Sequence, residues 1–228
     1  MMNDIKIGVK MLRYAYGLKT NLVQGGIFLM LGIFYSIQGS MGNHFRGNLV
    51  FFGGLFLSCI GMLPVQMVYS LSMSDLVRTS PARKRMQTSV PVLLHCSATF
   101  LIYLAECLLC VIRGLWKPEL AENMGRDILG IALITAFMML YLGICYKYFI
   151  AATLVVVPCL CLWGVGGLEA GVIIDNLFGG RELPFWTAAL EGAGILALGG
   201  AAEYLLTLLF YRAPLSKMAQ PAPMRKWI

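Results

Sequence analysis

The chain has 228 residues, of which 59% are hydrophobic and only 13% charged, with a net charge of +7. A soluble domain carries about 25% charged residues, so a mean hydropathy of +0.76 argues against a water-facing surface around one core and for a bilayer as solvent. The length suits one domain without an added soluble catalytic module, and the basic residues lie in short segments between apolar stretches, which argues against nucleic-acid binding.

Residues 3–19 read as an amphipathic helix in the headgroup region. Ile5, Val9, Leu12 and Tyr16 share one helical face, and Lys6, Lys10 and Arg13 form a basic stripe beside it that reaches lipid phosphates. No cleavable signal is expected, because the first twenty residues contain no apolar core run. Two apolar segments follow, near 21–37 and 48–70, each suited to crossing about 30 Å of hydrocarbon. The second contains Gly53, Gly54, Gly61 and Pro64.

The segment 72–89 is polar and basic. Ser74 suits an N-cap and Asp75 a first helical turn, where a negative charge complements the helix dipole. Leu76 and Val77 add a small apolar knob before Arg78. Ser80 precedes Pro81, which breaks one helical piece and opens a second that carries Arg83, Lys84 and Arg85. Two short helical pieces along the membrane face are expected here.

Further spans are expected near 90–112, 128–146, 148–168 and 185–211, the fourth and fifth joined by a tight turn at Lys147. Pro158 lies inside the fifth. Between the fifth and sixth, 164–184 is glycine-rich around a short apolar piece and reads as a re-entrant or interfacial outer element. Gly192, Gly194, Gly199 and Gly200, with alanines at 193, 197 and 201, suit close helix approach in the last span, and 212–228 forms a tail. The fold class expected is an all-α, six-span integral membrane protein. Thirteen basic residues fall on the side of the termini and the 72–89 loop and five on the other, so both termini are expected in the cytoplasm of a multi-pass protein of the plasma (inner) membrane.

The loop 74–86 resembles the first cytoplasmic loop of type-2 ABC exporter permeases, in which an acid-plus-aliphatic stretch precedes a small residue, proline and a basic run into the third span. The layout of the chain is similar to theirs as well. The resemblance implies a coupling helix, with Ser74, Asp75, Leu76, Val77, Arg78, Pro81, Arg83 and Lys84 docking on a nucleotide-binding ATPase subunit and the turn at Lys147 making a second contact. It implies two ATPase copies, a second permease copy or paralogous permease, and ATP with Mg held by the partner, with no cofactor on this chain.

The chain carries no GxxxxGK[ST] phosphate loop, HExxH or GxSxG motif. Its seven cysteines lie in apolar stretches and read as small apolar residues; no disulfide or metal site is expected. His44 falls in an outer loop, and His95 in the third span reads as a packed polar residue. Three carboxylates, Glu106, Glu191 and Glu203, lie within spans and should face protein or water. Two readings stand for them: a cargo path favouring cationic or amphipathic molecules, or interhelical hydrogen bonds and protonated acids. A membrane-embedded enzyme or assembly scaffold without an ATPase is the alternative to a transporter.

Overall fold

The computed structural model describes residues 2–12, 18–38, 46–72, 79–81, 83–116, 124–164, 184–214 and 216. Among them the secondary structure is helical, with no strand: α1 (Met2–Leu12), α2 (Leu18–Gln38), α3 (Arg46–Ser72), α4 (Arg83–Gln87), α5 (Ser89–Trp116), α6 (Met124–Cys145), α7 (Phe149–Gly164) and α8 (Phe185–Leu209). Helices are the natural outcome for such apolar segments, since a helix satisfies its own backbone where water is absent.

Five helices among the described residues are long and apolar enough to cross a membrane: those at 18–37, 52–69, 83–116, 124–145 and 185–209. The expected fifth span, near 148–168, is described only in part. Its helix, α7, has 16 residues, about 24 Å at 1.5 Å per residue, and 165–168 lie outside the described residues. The expected outer element at 165–183, the first loop piece at 73–78, Arg13 and the tail beyond 216 also lie outside them.

α6 is the centre of the bundle. Ile128, Leu129, Ala132 and Ile134 have no more than traces of exposed surface, and Tyr103 of α5 and Ala188 and Leu196 of α8 pack round its first half. Its second half packs with Met62, Val65 and Tyr69 of α3. Glycine sets the close approach of α6 and α8: a Cβ on Gly199 would lie 3.1 Å from Ala136 Cβ, and one on Gly143 would lie 3.2 Å from the Glu203 carbonyl oxygen. The packed seam of α8 runs through Ala188, Gly192, Leu196, Gly199, Gly200, Glu203 and Thr207. Of the expected alanine row, Ala193 packs beside the core and Ala197 and Ala201 are exposed.

α2 leans on α3, where Gly32 meets Leu57 and Tyr35 stacks on Phe56 with ring centroids 5.6 Å apart. Its outer face exposes Leu22, Val23 and Met30, the last at 75%. Leu101, Leu108, Leu154, Leu190, Leu198 and Leu205 are similarly exposed on α5, α7 and α8, and this distribution of large apolar side chains suits lipid as the solvent.

α1 packs against α5 through Asp4, Gly8 and Leu12, one helical row. Val9 is half exposed, whereas Asp4 and Gly8 are buried. A Cβ on Gly8 would run into Leu94 and sit 3.2 Å from Val90 Cγ1, so the missing side chain allows the helices to touch. Asp4 pairs with Arg85 of α4, and Leu12 joins Val68, Val90 and Leu94. Lys6 and Lys10 remain exposed.

Candidate functional site

The third span places its polar residues on one face. His95, Thr99, Tyr103, Glu106, Cys110 and Arg113 follow one another at spacings of four, four, three, four and three, the pattern of a single helical stripe. The first five are buried and the Arg113 side chain is 11% exposed. The stripe therefore runs inside the bundle rather than against lipid.

Near the α4 end, His95 Nδ1 lies 2.8 Å from Glu203 Oε2 of α8, and both side chains are 2% exposed. The Thr207 hydroxyl donates to the Glu203 carbonyl oxygen at 2.7 Å. Tyr69 of α3 covers this region, stacked on Tyr146 at 3.8 Å between ring centroids, and its hydroxyl donates to the Gln87 carbonyl at 3.3 Å. His95 is thus the packed polar residue expected, and Glu203 takes the interhelical hydrogen bond of its second reading, but which partner each would meet was not read from the sequence. The signal available was the stripe itself, on which His95 and Glu106 stand three turns apart.

At the opposite end, Arg113 Nη2 donates to Asp127 Oδ2 of α6 at 2.9 Å and to Cys110 Sγ at 3.1 Å, while Nη1 reaches the Ser36 carbonyl of α2 at 3.5 Å. Arg113 and Asp127 lie just beyond the ends of the spans expected at 90–112 and 128–146. α5 continues to Trp116 and α6 begins at Met124, which brings the two inside the helical layer.

The three in-span acids do not converge. Glu106 is buried beside Tyr103 and Cys110, and its Oε1 meets no hydrogen-bond partner among the described residues. It stands eleven residues from His95, about 16 Å along the helix, so it is remote from the Glu203 pair. Glu191 is exposed on α8. A groove of about 670 Å³ between α5 and α8 is lined by Leu93, Cys96, Phe100, Ala197, Gly200 and Tyr204 among others. A second, of about 710 Å³, lies among α2, α3 and α5 with almost wholly apolar walls. None of the three acids lines either groove, so these grooves do not form the acid-lined path expected. Among the described residues no group of three His, Cys, Asp or Glu side chains is placed to hold a metal ion.

The loop residues Ser74, Asp75, Leu76, Val77 and Arg78 lie outside the described residues, but Pro81, Arg83, Lys84 and Lys147 are within them. Pro81 sits in a turn closed by Arg83 N–H to the Ser80 carbonyl at 3.0 Å, and the helix starts at Arg83. The second loop piece meets the span at a single residue. Thr88 N–H bonds the Arg85 carbonyl at 3.4 Å in a turn, its Oγ1 donates to the Lys84 carbonyl at 2.7 Å and Val92 N–H to the Thr88 carbonyl at 3.4 Å, so α4 joins α5 through that one turn in a rod of 34 residues, Arg83–Trp116.

Arg83, Lys84 and Arg85 are exposed at its start. Beside them, Lys147 Nζ donates to the carbonyls of Ala213 at 2.8 Å and Tyr211 at 3.4 Å, which anchors the chain leaving α8. Partial burial lowers the Lys147 amine to about 8, and the nearby Arg83 charge adds to the effect. Two of the residues expected to dock a partner, from segments 64 positions apart, thus stand within electrostatic reach at one end of the bundle. Comparison with protein-family models, with curated proteins and with solved structures returned no match.

Proposed function

We propose that this chain is the membrane-spanning permease half of an ATP-driven exporter, working with a separate nucleotide-binding ATPase. The observation that carries the reading is the rod Arg83–Trp116, with exposed basic residues at one end and a buried polar stripe along its length. A force applied beside Pro81 reaches that stripe through the single turn at Thr88. The Asp4–Arg85 pair draws α1 into the same unit, and Arg83 and Lys147 offer one basic surface built from two segments.

On this reading the α4 end is cytoplasmic, with both termini, and the chain has six spans, α7 serving as the fifth. Asp75, Leu76, Val77 and Arg78 extend the docking surface into an ATPase groove. Two ATPase subunits, which hold ATP and Mg, serve two permease copies or this chain and a paralogue. Their closure tilts the rod and opens the space between permeases to the outside. Amphipathic or hydrophobic cargo suits the apolar grooves.

Copurification tests the reading. The tagged wild-type chain in mild detergent should retain an ATPase subunit, and Asp75→Arg combined with Leu76→Glu should lose it while the chain still inserts. Retention by the double variant, or no ATPase with the wild type, overturns it.

A further inference from the structure

Glu106 is in an uncommon position for a carboxyl. It is 2% exposed, and ten residues separate it from the end of α5 at Trp116, about 15 Å of helix. Its Oε1 has no hydrogen-bond partner among the described residues. An ionised carboxylate in such surroundings needs a cation or a set of donors. The one cation on its stripe, Arg113, is held by Asp127 at 2.9 Å, by Cys110 and by the Ser36 carbonyl. Two carboxylates therefore face one guanidinium, and that guanidinium is committed to Asp127. The titratable and charged neighbours are Tyr103, Cys107, Cys110 and Arg113 on α5 and Asp127 on α6; Glu191 on α8 is exposed.

We propose that Glu106 is a proton-binding carboxyl inside the membrane, which takes up and releases one proton and so supplies the missing positive charge. A proton converts the carboxylate, whose Oε1 meets no partner among the described residues, into a neutral group with one donor of its own. Glu203 needs no such partner, since His95 already faces it at 2.8 Å. The inference goes beyond the exporter reading and stands without it, because its test reads the carboxyl and not transport.

The test uses the full chain in membranes with dicyclohexylcarbodiimide, an apolar reagent for protonated carboxyls. The acid's proton moves to a carbodiimide nitrogen as its oxygen bonds the central carbon. The O-acylisourea then rearranges to an N-acylurea without loss of atoms, and the adduct is mapped by mass spectrometry. Glu106 should be labelled in the wild type, Glu106→Asp should keep the label, and the yield should fall about tenfold per pH unit above its midpoint. Infrared spectra should show a protonated carboxyl band that shifts in D2O, is absent in Glu106→Gln and persists in Glu191→Gln. No adduct at Glu106 in a preparation labelled elsewhere overturns the proposal. So does a yield independent of pH, or protection by sodium at constant pH, which marks a metal-cation site instead.

Discussion

Breaking the His95–Glu203 pair should unbalance the bundle in a measurable way. In Glu203→Leu the imidazole keeps its 2% exposure and loses the acceptor that Nδ1 meets at 2.8 Å; in His95→Leu the carboxyl is left instead. An unsatisfied buried polar group costs about 1–3 kcal/mol, and more when charged. The double variant leaves neither orphan and should cost about as much as one single change rather than their sum. The expected coupling energy is about 1–3 kcal/mol, the range for residues in direct contact. Reversible unfolding in mixed micelles, followed by circular dichroism for the wild type, both singles and the double, measures it. Interhelical hydrogen bonds in membranes average about 0.6 kcal/mol and reach about 1.7, so a larger coupling marks an ionised pair. Costs that add within about 0.5 kcal/mol would refute the claim that the two side chains act as one unit.

Gly192→Ala should destabilise by about 1–3 kcal/mol, because its Cβ collides with the Tyr103 hydroxyl and disturbs that hydroxyl's bond to the Ala189 carbonyl. Gly194→Ala, which meets nothing within 4 Å, should be neutral or stabilising by up to about 1 kcal/mol in the same assay. Lys147, held at about 8 against an ordinary 10.5, binds fewer protons folded than unfolded between those values. Its penalty is full below pH 8 and is relieved as pH rises towards 10.5; Lys147→Gln should flatten that rise in stability, and an unchanged slope would contradict the assignment. Asp4→Arg turns the contact with Arg85 into repulsion. It should expose α1 to limited proteolysis with little change in global stability, as suits a pair with one partner largely in solvent.

The apolar segments were legible because their length and composition are set by bilayer thickness alone. The third and fourth spans appeared close to where α5 and α6 lie. Side-chain partners were less legible, because they depend on helix rotation. Glu203 was recognised as costly in a span, yet its partner His95 sits 108 positions away, and only the facing of α5 and α8 joins them. The same reason hid Arg113–Asp127, which fall just outside the spans expected at 90–112 and 128–146. In α1 the apolar pattern did not show where the helix meets α5, which is at Gly8, beside Leu94 and Val90. A contact made through what is missing leaves no hydrophobic signal. On α8 the small residues were legible as a group: Gly192, Gly199 and Gly200 line the packed seam and Ala193 lies beside the core, whereas Ala197 and Ala201 are exposed.

The most direct test of the account is the side of the membrane on which the start of the rod lies. Ser80→Cys, between the exposed Thr79 and Pro81, in a background without the seven native cysteines, gives a single reporter for an impermeant maleimide. Labelling in inverted vesicles with protection in intact cells is the predicted result. Labelling from outside intact cells would place the basic end of the rod beyond the reach of any cytosolic ATPase and contradict the account.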